Sequence, residues 1–255
     1  VTIDFDPVET DVRRVWAALR FVDAMSGQTV ESPLRVEVAG ARLRRNRGAL
    51  FVVVALDPPA GDLDAVRDYE NAFDPIPAVP AQSLAGTVSD AGGRYLARRF
   101  TLTLPRSLAA VPGASATLFE AQSITLDPAP ATPLLPTWAA LRLSLRRGGA
   151  PAAQAAIRVR RPGGASLGRG MSDARGEALV AVVGVAQLTP GADELVVERE
   201  IAVEIVVSVD TALAPGAIVD PDLLAARDEG AGLSRLVVPR SLASGRIELI
   251  NLTLP

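Results

Sequence analysis

Trp16-Ala17-Ala18-Leu19-Arg20 recurs as Trp138-Ala139-Ala140-Leu141-Arg142, and each copy carries one of the chain's two tryptophans. Self-similarity of this kind reads as an internal duplication. A second pair, Pro105-Arg106-Ser107-Leu108 and Pro239-Arg240-Ser241-Leu242, follows in the same order. A third sets Ser89-Asp90-Ala91-Gly92-Gly93 against Ser172-Asp173-Ala174-Arg175-Gly176 once one half is allowed an insertion. Each half also closes on alternating residues, Ser123-Ile124-Thr125-Leu126 and Ile247-Glu248-Leu249-Ile250. Between them runs Asp127-Pro128-Ala129-Pro130-Ala131-Thr132-Pro133-Leu134-Leu135-Pro136, whose four prolines favour a stiff, extended path. The boundary is set there, giving domains 1–131 and 132–255. Trp16 and Trp138, at equivalent places, are expected to anchor the core of each half.

Strand signals fill both halves. Leu34-Arg35-Val36-Glu37-Val38, Phe100-Thr101-Leu102-Thr103-Leu104 and Ile157-Arg158-Val159-Arg160 alternate apolar and polar residues, the pattern of half-buried antiparallel strands. Residues 50–56, 179–183 and 205–207 are continuous apolar runs, each expected to be a strand covered on both faces or at a sheet centre. Turn signals at Ser26-Gly27, Arg147-Gly148-Gly149 and Pro162-Gly163-Gly164 separate them. The expected fold is all-β, two tandem antiparallel β-sandwiches. One short helix is expected in the second half, where Asp220 can cap a run opened by Pro221. The first half carries an acidic insertion around residues 57–82, read as a loop with at most one helical turn.

The 255 residues include no cysteine and no histidine, and all 26 basic residues are arginine. That removes disulfides, thiolate nucleophiles, cysteine zinc sites, the commonest general base and lysine Schiff bases. The composition fits a GC-rich bacterial genome. A net charge of −3 supplies no basic field for a polyanion, so nucleic acid is not an expected partner. No apolar run is long enough for a membrane helix. The chain opens on Val1 rather than methionine, which leaves a trimmed methionine and a removed leader both open; localisation and oligomeric state stay open as well.

Gly149-Ala150-Pro151, Ala156-Ile157-Arg158-Val159, Gly168 and Ser172-Asp173-Ala174-Arg175-Gly176-Glu177 together resemble the carboxypeptidase regulatory-like, or transthyretin-like, β-sandwich domains. Pro33-Leu34-Arg35-Val36-Glu37-Val38 and Ser89-Asp90-Ala91-Gly92-Gly93-Arg94-Tyr95 echo the pattern in the first half. The resemblance implies a seven- or eight-stranded sandwich serving as an accessory, adhesive or structural module, and carries no catalytic residues with it.

Four clusters invite a chemical reading. Gly164-Ala165-Ser166-Leu167-Gly168 matches a serine-hydrolase elbow, but the chain has no histidine to serve it, and the segment reads as a hairpin loop. Asp57, Asp62, Asp64, Asp68, Glu70 and Asp74 gather oxygen ligands in the insertion, in a spacing that matches neither an EF-hand nor a nonapeptide calcium loop. A solvated acidic loop, or a contact for a partner's arginines, suits them better. Two carboxylates could serve a glycosidase, yet nothing singles out a pair among the 29 acidic residues. Arg42, Arg44, Arg45 and Arg47 crowd the tip of an expected hairpin and can grip carboxylates or phosphates.

No enzyme activity, metal or cofactor is therefore expected. The expected role is a structural or adaptor subunit of a larger bacterial assembly, such as a phage-tail-like or surface machine. The alternatives are a secreted carbohydrate- or surface-binding module and, behind it, a carboxylate-dependent glycosidase. Protein contacts are expected at Asp62, Asp64, Tyr69, Phe73 and Ile76 of the insertion, where apolar anchors sit among carboxylates, and at Arg44, Arg45 and Arg47 of the hairpin.

Overall fold

The computed structural model describes residues 15–57, 83–104, 120–134, 138–182, 200–214, 216–227 and 232–255. The fold is all-β. In the first half β1 (Ala17–Asp23), β2 (Leu34–Val38), β3 (Ala41–Arg45), β4 (Phe51–Leu56), β5 (Ser83–Asp90), β6 (Arg98–Thr103) and β7 (Gln122–Leu126) form one seven-stranded sheet in the order β6-β5-β2-β3-β4-β1-β7. The sheet curls so that its inward residues meet in a single core, with Phe21 edge-on to Phe51 and to Phe100 at 5.4 and 5.8 Å between ring centres. Its two outer strands face each other through side chains. The Gln122 amide donates to Thr101 O and accepts from Thr103 N, so one side chain stands in for two ladder bonds.

In the second half β8 (Ala139–Arg147), β10 (Ala156–Arg160), β11 (Ser166–Met171), β12 (Glu177–Val182), β13 (Ile201–Asp210), β14 (Leu233–Leu242) and β15 (Ile247–Leu254) form two sheets, β11-β10-β13-β14 and β12-β8-β15, with the short β9 (Ala150–Pro151) beside β8. Leu141, Leu143 and Leu145 of one sheet pack on Ile157, Val159, Ile205 and Val207 of the other. The strands follow the same order as in the first half, except that β11 and β12 lie against each other without pairing. There the backbones pass so closely that a Cβ at Gly168 would lie 2.4 Å from Ala181 O. Among the described residues one helix, α1 (Pro221–Ala226), is present, capped by the Asp220 carboxylate, which accepts from Asp222 N.

Alongside the antiparallel ladders the structure adds a parallel pair to each half, β1 with β7 and β8 with β15. Alternation fixes which face a strand buries and says nothing of its direction, so the sequence pattern does not reveal this. Residues 179–182 and 205–209 are buried on both faces as expected. The run in β4 takes the other expected place, inside a sheet between β3 and β1, with Phe51 and Val53 facing the core and Val54 exposed.

Two expectations drawn from the repeats are corrected. Trp16 lies in the first core, but Trp138 is only partly buried and packs with Met25 and Leu134 on Ala140, Leu179 and Ala181, the outer face of a second-half sheet. It is a junction residue, because among the described residues this face of the sheet is covered by Met25 and Leu134 and by no further layer of the second half. The Ser-Asp-x-x-Gly segments occupy different connections, β5 to β6 and β11 to β12. Their likeness is turn chemistry. Asp90 accepts from the backbone N–H of Gly92, Arg94 and Tyr95, and Asp173 from those of Arg175 and Glu177. Residues 105–108 lie outside the described residues, while Pro239 falls within β14.

Candidate functional site: an ionic junction between the halves

Arg98, Phe100 and Leu102 share one face of β6, so the alternation that buries the two apolar side chains carries the guanidinium inward as well. Arg98 is 1% exposed. A charge so placed requires partners for its donors. Nε donates to Arg99 O at 3.0 Å and Nη1 to Thr125 O at 2.6 Å, the latter tying β6 to β7. Nη2 reaches across to the second half, at 3.0 Å from Asp220 Oδ1 and 2.6 Å from Asp222 Oδ2. Asp220 thus caps α1 and holds the arginine at once.

Arg169 of β11 extends the network. Its Nε lies 3.3 Å from Asp127 Oδ1, at the end of the first half, and its Nη1 lies 3.0 Å from Asp222 Oδ1. Asp127 is fully buried and its Oδ2 has no partner among the described residues. Burial pushes its carboxyl up despite Arg169 and Arg98. Burial also works against the Asp222 carboxylate, but Arg98 and Arg169 outweigh it and hold the group below the usual carboxylate range. The backbone joins in, with Arg99 N donating to Val219 O at 2.8 Å. Arg158 donates to Ala225 O at the far end of α1, where the helix dipole favours a cation.

The proline-rich connection is fastened too. Ala129 N and Thr132 Oγ1 both donate to Arg94 O, Leu96 N donates to Asp127 O, and Arg142 donates to Pro130 O. Beside this strap lies a polar depression of about 560 Å³ where Asp23 accepts from Met25 N at 2.7 Å and from Tyr95 Oη at 3.1 Å. Burial, with the Asp23 carboxylate beside it, pushes the Tyr95 phenol up to about 12. Asp23 shares the inward face of β1 with Leu19 and Phe21. The same parity signal in the sequence finds two of the three buried charges among the described residues, Asp23 and Arg98, and misses Asp127, which lies just past the end of β7.

Of the residues expected to bind partners, Arg44, Arg45 and Arg47 lie at the β3–β4 hairpin and are exposed. Arg45 stacks on Phe51, 5.7 Å from the ring centre, and donates to Glu31 O, while Arg42 pairs with Asp57 at 3.2 Å. The patch is therefore partly tied to its own domain. Asp62, Asp64, Tyr69, Phe73 and Ile76 lie outside the described residues. Ser166 of the elbow-like segment opens β11 in a hairpin and donates to Gly168 O, without the strand-to-helix turn that a nucleophile elbow needs. Among the described residues no helix is long and apolar enough to cross a membrane.

No family model and no curated protein matches the chain. Among solved structures it is similar to the Bacillus anthracis TIE protein, at 9% identity and a TM-score of 0.22, over 94% of this chain and 33% of that one. The chain thus spans about a third of that protein's length, and a TM-score so low carries no argument about fold or role.

Proposed function

We propose that this protein is a non-enzymatic structural or adaptor subunit, built from two transthyretin-like sandwiches in tandem, which holds partners at a fixed spacing within a larger bacterial assembly. The observation that carries the reading is the Arg98 guanidinium, buried in one half and bound to Asp220 and Asp222 of the other. An adaptor has to fix the relative position of its two ends, and an ion network with a fastened connection resists rotation where a free linker would not. The common strand order of the halves supports the tandem reading.

The test compares the wild-type chain with Arg98→Gln after native purification from the cells that make it. The wild type is expected in a complex far larger than 26.5 kDa, and the variant is expected to lose co-purifying subunits while keeping its β-sheet circular dichroism. A wild-type chain that purifies alone sinks the reading.

The polar depression at Asp23, Arg94 and Tyr95 favours a second reading, a carbohydrate- or surface-binding module. Binding on a glycan array that is lost in Tyr95→Phe supports it, and an array without signal removes it.

A further inference from the structure

No side chain of this chain titrates ordinarily between about pH 4.3 and about pH 10, because it holds no histidine, cysteine or lysine and its ionisable side chains are carboxylates, tyrosines and arginines. A carboxyl displaced by its surroundings is what makes such a fold answer to pH in that range. One lies where the two halves meet. Asp127 ends the first half, is 1% exposed, and is fixed to that half by Leu96 N, which donates to its backbone oxygen at 3.0 Å. Among the described residues the charged groups that bear on it are Arg169 of β11, Arg98 of β6 and Asp222 of α1, with Asp220 joined to the cluster through Arg98.

The geometry separates Asp127 from the other two carboxyls. Asp220 and Asp222 lie 3.0 and 2.6 Å from Arg98, and Asp222 has a second contact, at 3.0 Å, with Arg169. The Asp127 side chain is met only by Arg169 Nε among the described residues, at 3.3 Å, beyond the roughly 2.7–2.9 Å of a bond between ionised partners. An ionised carboxylate in so dry a place needs both oxygens bonded, and a neutral acid needs less. The balance of charge agrees. With Asp127 neutral, the first half brings Arg98 to the junction and the second brings Arg169, Asp220 and Asp222, so a face with one positive charge meets a face with one net negative charge. With Asp127 ionised the first face becomes neutral, and its carboxylate stands against Asp222 as well as beside Arg169.

We infer that the junction is a proton-operated latch: while Asp127 carries its proton the halves are locked at one angle, and release of that proton frees them to turn. Opening brings water to the Asp127 carboxylate, so the open form holds the proton less tightly than the closed form, and the closed form gives way as pH rises. Asp222 bounds the closed range from below, because Arg98 and Arg169 each lose a partner when that carboxylate is protonated. The inference deepens the adaptor reading and rests on it for the use to which the latch is put, a spacing held in mildly acidic surroundings and relaxed in alkaline ones.

A pair of spin labels, one on each half, reads the angle as a distance. The chain has no cysteine, so Ala39→Cys in the β2–β3 turn and Ala165→Cys in the β10–β11 hairpin, both exposed, take the labels without competition. Pulsed electron paramagnetic resonance of the labelled full chain from about pH 5 to about pH 9 is expected to show one narrow distance at the acid end. A second, broad population is expected to grow with pH by up to about tenfold per pH unit, the slope that a single proton allows. The same labels on Asp127→Asn, which has no proton to lose, are expected to keep the narrow distance throughout, with melting at the acid end matching the wild type. Carbon-13 shifts of the wild-type aspartate carboxyls give a second reading: the carboxyl that titrates last is expected to share its midpoint with the distance change. A wild-type distance that stays constant over the range, an Asp127→Asn chain that broadens as the wild type does, or midpoints that disagree each overturns the latch. A latch that responds in a chain purifying alone sinks the adaptor reading and leaves this one, and a constant distance in a chain found within a large assembly does the reverse.

Discussion

The Arg98 guanidinium and the Asp222 carboxylate meet at 2.6 Å across 124 positions of sequence. One is buried and the other half-exposed, so their loss is unequal. Arg98→Met leaves Asp220 and Asp222 without their main cation, as well as Thr125 O without its donor, and is expected to cost about 3 kcal/mol. Asp222→Asn, screened by solvent, is expected to cost about 1 kcal/mol or less. Urea unfolding of both variants measures the difference. Splitting of the Arg98→Met transition in two would identify the junction as what couples the halves.

Asp127 and Asp222 respond to pH in opposite senses. The Asp222 carboxyl is held low in the fold, so its contribution is full above the unfolded value of about 3.9 and is lost as pH falls through the folded value. The Asp127 carboxyl is raised, so its contribution is full below about 3.9 and is lost as pH rises through the folded value. Melting temperatures taken between about pH 3 and about pH 7 are expected to show a flatter acid limb in Asp222→Asn. Asp127→Asn is expected to gain on the wild type as pH rises across the carboxylate range.

Tyr95 is one of two tyrosines in the chain. Tyrosinate absorbance is expected to develop with one component near pH 12, and Tyr95→Phe is expected to remove that component alone. A wild-type titration with no such late component counts against the Asp23 contact.

Gly86 sits opposite Phe100 in the β5–β6 ladder, and a Cβ there would lie 2.3 Å from the ring. Gly86→Ala must displace the side chain that Phe21 packs against edge-on. A loss of about 1–3 kcal/mol is expected, with partial recovery in the double variant with Phe100→Leu. Denaturant midpoints decide it.

Asp90 accepts three backbone N–H groups within its own turn. Asp90→Ala is expected to cost about 1–2 kcal/mol, and Asp90→Asn less, because one oxygen remains. Equal losses in the two variants would mean that the carboxylate's charge, rather than its acceptors, holds the turn.

Much of this architecture can be read from local pattern. Alternation in Leu34–Val38 and Ala156–Arg160 marks β2 and β10, and Asp220 before Pro221 marks the start of α1. The junction is less accessible. Arg98-Arg99 reads as a solvated pair, and only the parity shared with Phe100 and Leu102 reveals that one of the two points inward. Its partners at 220 and 222 are set by tertiary placement, which no local pattern encodes. Trp138 misleads for a related reason: an identical pentapeptide fixes the strand that follows, while the layer that covers its first residue depends on a neighbouring domain.

The parallel pairing of first and last strands governs how each half bears a load. Because β7 runs alongside β1 in the same direction, the chain enters at one end of the pair and leaves at the other. Tension applied between Ala17 and Leu126 therefore pulls the two strands past each other, and the cross-strand bonds share the force instead of opening singly as in a zipper. The same holds for β8 and β15, where the register runs unbroken from Ile247 opposite Ala140 to Leu254 opposite Arg147. Each half therefore resists extension between its own first and last strands in shear.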